Sequence, residues 1–110
     1  MIDWTRVADL KSEIGDDGFL EVVEMFLEET DEVVSDLEGS PNLGAVEGRL
    51  HFLKGSALNL GLSNLAALCQ SGEKRAAIGS PQDVDLRHIT ASYRAAKSEL
   101  LVALGRSAAA

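Results

Sequence analysis

Apolar residues along this chain recur three and four positions apart, and no stretch alternates convincingly with a period of two. That spacing places side chains on one stripe of a helix, whereas a half-buried strand needs alternation. An all-helical fold follows, and the helix ends are marked. Asp3 is placed to cap a first helix carrying Trp4, Val7, Leu10 and Ile14 and stopping at Gly15. A second starts near Asp16 or Asp17, whose charges suit a helix N-terminus, and stops at Gly39. Phe19, Val22, Val23, Phe26, Val33 and Leu37 form its stripe, with Leu20, Leu27 and Val34 widening it.

The two prolines, Pro41 and Pro81, each follow a serine, a recognised helix-start signal. Ser40-Pro41 opens a third helix running to about Leu60, with Gly61 as a left-handed cap. Ser63 is placed to cap a fourth, holding Leu65, Leu68 and Cys69 and ending around Gly79. Ser80-Pro81 opens the last, with Asp83 completing a capping box and Leu86, Ile89, Tyr93, Ala96, Leu100 and Leu104 as its stripe. Short connections between long amphipathic helices favour antiparallel neighbours. The predicted fold is therefore an all-α, up-down-up-down four-helix bundle with a short extra N-terminal helix, a single domain over 1–105 and a frayed tail over 106–110.

Composition narrows the function. Apolar residues make up 45 % of the 110, enough for a real core, and aromatics only 5 %. The formal net charge of -8, from 18 acidic and 10 basic residues, disfavours nucleic acid and anionic membranes as partners. The single cysteine, Cys69, excludes an internal disulfide and a cysteine-rich metal site, and reads as core. The first ten residues lack the pattern of a secretory signal, and no uncharged apolar run approaches the ~20 residues needed to span a bilayer. A cytoplasmic protein is expected, and the start at Met1 close to the first helix favours a stand-alone one.

The third helix is the most informative. Val46, Leu50, Leu53, Ala57 and Leu60 define its buried stripe. At about 100° per residue, His51 lies roughly 140° from the centre of that stripe and should face water. Lys54 and Gly55, three and four residues on, are its neighbours on the helix surface; Leu58 shares its face, with Gly44 and Gly48 at the near edge. An open nucleophilic ring nitrogen beside a cation suits a phosphoryl acceptor. Taken alone, an exposed histidine beside a lysine is usually just a solvated surface pair, although glycine inside a helix costs roughly 1 kcal/mol against alanine and normally has a reason.

The string His51-Phe52-Leu53-Lys54-Gly55-Ser56-Ala57, followed by Asn59-Leu60-Gly61, resembles the signature of the histidine-containing phosphotransfer (Hpt) domain, H-x-x-K-G-S-[SA] continued by N-[LI]-G. Phe26-Leu27-Glu28-Glu29 and Leu65-x-x-Leu68-Cys69-x-x-x-Glu73 are similar to the family as well. The resemblance implies a stoichiometric phosphocarrier that binds no ATP and is not an enzyme in its own right. It takes a phosphoryl group from an aspartyl phosphate on a response-regulator receiver domain and passes it to another receiver, and through them connects to a sensor histidine kinase.

Carried over by position, His51 is the phosphoryl acceptor through Nε2, Lys54 offsets charge on the phosphoryl oxygens, and Gly55 leaves room for the receiver. Ser56 is then a structural hydroxyl. Leu58 leads the expected docking surface, with Gly48, Phe52, Leu20, Leu27 and Met25 as further candidates. No cofactor or metal is expected on this chain, since Mg²⁺ belongs to the receiver, and a monomer suffices. Glu47, one turn before His51, could hold the ring through Nδ1, but it would repel a phosphate and reads as a solvated acid. His88 reads as a surface histidine. A dimerising kinase core would need a nucleotide-binding domain the chain has no length for, and a bundle metal site lacks its Glu-x-x-His pairs. An adaptor that uses only protein contacts remains as the alternative.

Overall fold

A computed structural model describes residues 2–39 and 42–105. Four helices, α1 (Trp4–Glu38), α2 (Val46–Leu60), α3 (Ser63–Ala77) and α4 (Leu86–Ala103), form the bundle. Each packs on the next, and α4 closes the ring against α1. Among the described residues there is no strand, only one isolated bridge between Ile2 and Leu62. Among the described residues no helix is long and apolar enough to cross a membrane.

The two N-terminal helices of the sequence reading follow one another without a loop, broken at Gly15, whose φ of 80° and ψ of 166° are not helical. A straight α1 would run about 50 Å at 1.5 Å per residue. The molecule is 42 Å in its longest dimension, so the break shortens it. Asp3 caps α1 by accepting from the N–H groups of Thr5 and Arg6. The start of the chain is tied to the α2–α3 turn: the Asp3 N–H donates to the Gly61 carbonyl at 2.6 Å, and Arg6 Nε to the Asn59 carbonyl at 3.2 Å. Gly61 is the left-handed cap of α2, at φ 76°. A Cβ there would also lie 2.7 Å from the Asp3 carbonyl oxygen, so glycine is needed twice over.

The core is built from Phe19, Val23, Leu27, Val34 and Leu37 of α1, the α2 stripe, Leu65 and Cys69 of α3, and Ile89, Tyr93 and Leu100 of α4. Val46, Leu50, Leu53, Ala57 and Leu60 are at most 3 % exposed, as their spacing predicts. On α1 the centre of the stripe runs through Leu27 and Val34, with Phe26 and Val33 half-buried beside it. Trp4 and Ile14 are exposed at the ends of the first stripe, because that segment packs mainly around Val7.

Three helix starts differ from expectation. Ser40-Pro41 lies outside the described residues; Asn42 caps a 3-10 turn, Leu43–Ala45, and regular α-helix begins at Val46. Ser63 is the first residue of α3 and makes no capping hydrogen bond. Ser80-Pro81 starts a 3-10 turn, Pro81–Asp83, that ends in extended Val84; Asp85 then caps α4 by accepting from the His88 N–H at 3.0 Å. The predicted tail over 106–110 is likewise outside the described residues.

Candidate functional site

Leu50 and Leu53 are fully buried, and burying them turns His51, between them, outward: its side chain is 70 % exposed. Three residues further round, Lys54 stands on the same face of α2. The tight turn at Gly61 folds α3 back antiparallel, which sets Glu73 opposite His51 and Gln70 opposite Lys54. Glu73 Oε2 is 3.1 Å from His51 Nδ1, and Glu73 Oε1 is 3.0 Å from Lys54 Nζ. Lys54 Nζ also donates to Gln70 Oε1 at 3.0 Å.

The hydrogen bond of the Lys54 ammonium, and after it that of the His51 ring, hold the Glu73 carboxyl below its ordinary 4.5 against an opposing push from burial. Glu73 is thus ionised at neutral pH and only accepts hydrogen bonds. In the neutral ring Nδ1 of His51 then carries the proton, which leaves Nε2 with its lone pair. Nε2 has no partner among the described residues. The lone pair of the neutral ring is therefore on its exposed side.

Gly48 and Gly55 flank His51 on α2. A Cβ built at Gly48 or at Gly55 would meet nothing within 4 Å, so no packing among the described residues requires glycine at either position. Gly72 on α3 is the opposite case: a Cβ there would lie 2.9 Å from Leu50 Cδ1 and 3.0 Å from Val84 Cγ1. It lets α3 sit close to α2, and hence Glu73 close to His51.

Leu58 is 58 % exposed on the His51 side of α2. Together with Lys54, Ser63, Ala66, Ala67 and Gln70 it lines a shallow groove between α2 and α3. Phe52 is 38 % and Met25 60 % exposed, while Leu20 is half-buried. Leu27 is corrected: it is 6 % exposed within the α1 core stripe, so it holds the bundle together and offers nothing to a partner. Ser56 is buried. Glu47 is exposed and makes no contact with the ring; the carboxylate that does so is Glu73, on another helix.

Glu73 and Gln70 are what the sequence reading missed as site residues. Folding α3 back on α2 in antiparallel register would have set both opposite the motif. Cys69 is fully buried, and burial pushes its thiol up to about 12, consistent with a core role. His88 is exposed on α4.

The model of the Hpt domain family matches residues 21–103, from within α1 to the end of α4. The chain belongs to the Hpt domain family. Hpt domains serve phosphotransfer in two-component signalling, as phosphocarriers that interact with receiver domains. The match takes in His51, Lys54, Gln70 and Glu73, while the N-terminal segment before residue 21 lies outside it. Comparisons with curated proteins and with solved structures return no match.

Proposed function

We propose that this Hpt domain accepts a phosphoryl group on His51 Nε2 from the aspartyl phosphate of one receiver domain and passes it to the aspartate of another. One observation carries the reading: the exposed ring presents an unpartnered Nε2, with Nδ1 held by Glu73, between two glycines whose open faces serve no internal purpose. A receiver has to bring its aspartyl phosphate against Nε2, and a side chain at position 48 or 55 would stand in its way.

Attack on phosphorus needs a lone pair, open access and charge compensation. The chain supplies the first two directly. Mg²⁺ and most stabilisation of the transferring group come with the receiver, and no further domain is needed for the carrier role. Leu58 and the α2–α3 groove, with Phe52 alongside, offer the receiver an apolar footing next to the histidine. In this reading the chain works as a monomer in the cytoplasm.

The test is transfer of radiolabelled phosphoryl from a phosphorylated receiver to the wild type and to His51→Gln. Acid-labile, base-stable label on the wild type and none on the variant is expected. If the wild type takes no label from a panel of receivers while remaining folded, the carrier reading fails and the chain is a protein-binding adaptor.

A further inference from the structure

Two side chains point out of the α2–α3 layer at the level of the site, one from each helix. Outward from the seam the helices share, α2 carries Lys54, Leu58 and then His51, while α3 carries Glu73, Gln70 and then Lys74. At about 100° per residue, Lys74 lies roughly 170° from the centre of the buried stripe of Leu65, Cys69 and Gly72. It follows Glu73, whose carboxylate meets the His51 ring, so it stands about 1.5 Å of helix rise from the level of that contact. Lys74 is exposed, and no hydrogen bond or ion pair engages it among the described residues.

The other charges around the histidine are matched or negative. Lys54 is paired with Glu73 at 3.0 Å, so its charge is balanced within the fold. Arg49, on the α1 side of α2, pairs with Asp36 at 2.8 Å. Glu47, exposed one turn before His51, adds a negative charge. A receiver brings an anion to this face, its aspartate or aspartyl phosphate, and the chain it approaches has a formal net charge of -8. Repulsion opposes that encounter, and among the described residues the unmatched cation on the His51 face is Lys74.

We propose that Lys74 is a specificity-determining residue of the carrier: its ammonium pairs with a carboxylate on the rim of the receiver's reactive face and so selects receivers that carry one there. The inference rests on the carrier reading above and adds to it which receivers are accepted. The pair forms at the edge of the interface, where the flexible four-carbon stem of lysine lets the ammonium follow its partner. Rim charges of this kind act on the rate of association and its salt dependence, and leave the chemical step alone. A receiver with a base at the same place is repelled. A purely structural role is also open to Lys74, as a cation in the last turn of α3, but Arg75 fills it equally. Arg75 faces α4 instead, in a cleft it lines with Asp83 and His88, so it carries the same charge one residue away on the wrong face.

The probe is whichever receiver domain of a panel associates fastest with the wild type. Stopped-flow association with it, and rapid-quench transfer from its phosphorylated form, are measured at about 0.01 M and about 1 M salt, where screening lengths are about 30 Å and about 3 Å. Lys74→Gln should associate about 2- to 5-fold more slowly at low salt and as fast as the wild type at high salt. Its transfer rate at saturating receiver should not change. Lys74→Arg should keep the wild-type association rate, Lys74→Glu should lose more than Lys74→Gln, and Arg75→Gln should behave as the wild type. Equal slowing by Arg75→Gln would assign the effect to net charge, and a fall in the saturated transfer rate would place Lys74 in the transfer step. Either result overturns the proposal, as does an unchanged rate for Lys74→Gln at low salt. A wild type that shows this dependence on Lys74 but takes no label sinks the carrier reading and leaves the contact standing. A wild type that binds no receiver overturns both.

Discussion

Three glycines in two helices differ in what surrounds them. Gly48 and Gly55 have empty space where a Cβ would go, and Gly72 has Leu50 and Val84 against it. Alanine at 48 or 55 removes the helical penalty of glycine, so each variant should be stabilised by up to about 1 kcal/mol in thermal unfolding. Gly55→Ala should nonetheless slow phosphoryl transfer, since the added methyl stands where the receiver comes in. Gly72→Ala should instead destabilise by about 1–3 kcal/mol, because the packed neighbours have to move. The same contrast separates two leucines once grouped as docking residues. Leu58→Ala should leave stability within about 0.5 kcal/mol and weaken receiver binding, whereas Leu27→Ala should cost about 2–5 kcal/mol in chemical denaturation. Spacing alone could not tell these leucines apart, because α1 carries apolar side chains on nearly every face and only its neighbours decide which of them are covered.

At the scale of the helices, periodicity located the elements well, and capping chemistry located their starts unevenly: Asp3 caps α1 as expected, while the serine signals do not cap α3 or α4. The α2 stripe is buried as its spacing requires, and Gly15, Gly39 and Gly61 stand at the break and the ends they were expected to mark. Serine followed by proline opens a 3-10 turn at position 81, and the α-helix waits for a stronger cap, Asp85. Asp85→Ala should cost about 1 kcal/mol. The α1–α4 contact is held by a polar cluster that periodicity does not reveal. The buried Tyr93 hydroxyl donates to Asp31 at 2.6 Å, Lys97 reaches the same carboxylate at 2.7 Å, and Arg94 pairs with Glu38 at 2.8 Å. Burial and the bond to Asp31 push the Tyr93 phenol well above its ordinary value, so it stays a donor. Tyr93→Phe should lower stability by about 1–2 kcal/mol, measured at neutral pH.

For the molecule as a whole, the same carboxylates set the response to acid. Partial burial pushes the Asp31 carboxyl upward, but bonds from Lys97 and Tyr93 outweigh it and hold it below its ordinary 3.8. Glu38, bonded to Arg94, and Glu73, bonded to Lys54, sit below their ordinary 4.5. The native state therefore binds protons less readily than the unfolded chain in this range. Stability should be fully present above about pH 5 and decline as the pH falls through the carboxylate range. In a Lys97→Met variant the deficit relative to wild type should shrink on acidification, because protonated Asp31 has no ion pair to lose. A deficit that grows toward low pH would contradict the assignment of this network.

The site itself was half legible. His51, Lys54 and the open glycines are local to one helix and follow from spacing and the family motif. Glu73 and Gln70 are remote in sequence and join the site only through the antiparallel register of α2 and α3. The account stands or falls on Nε2 of His51, and phosphorus-31 NMR of the chain after incubation with a phosphorylated receiver addresses it most directly. A single resonance of a histidine phosphorylated on Nε2, absent in His51→Gln, is the expected result. A phosphoryl group on Nδ1, on another residue, or still present in His51→Gln would contradict it.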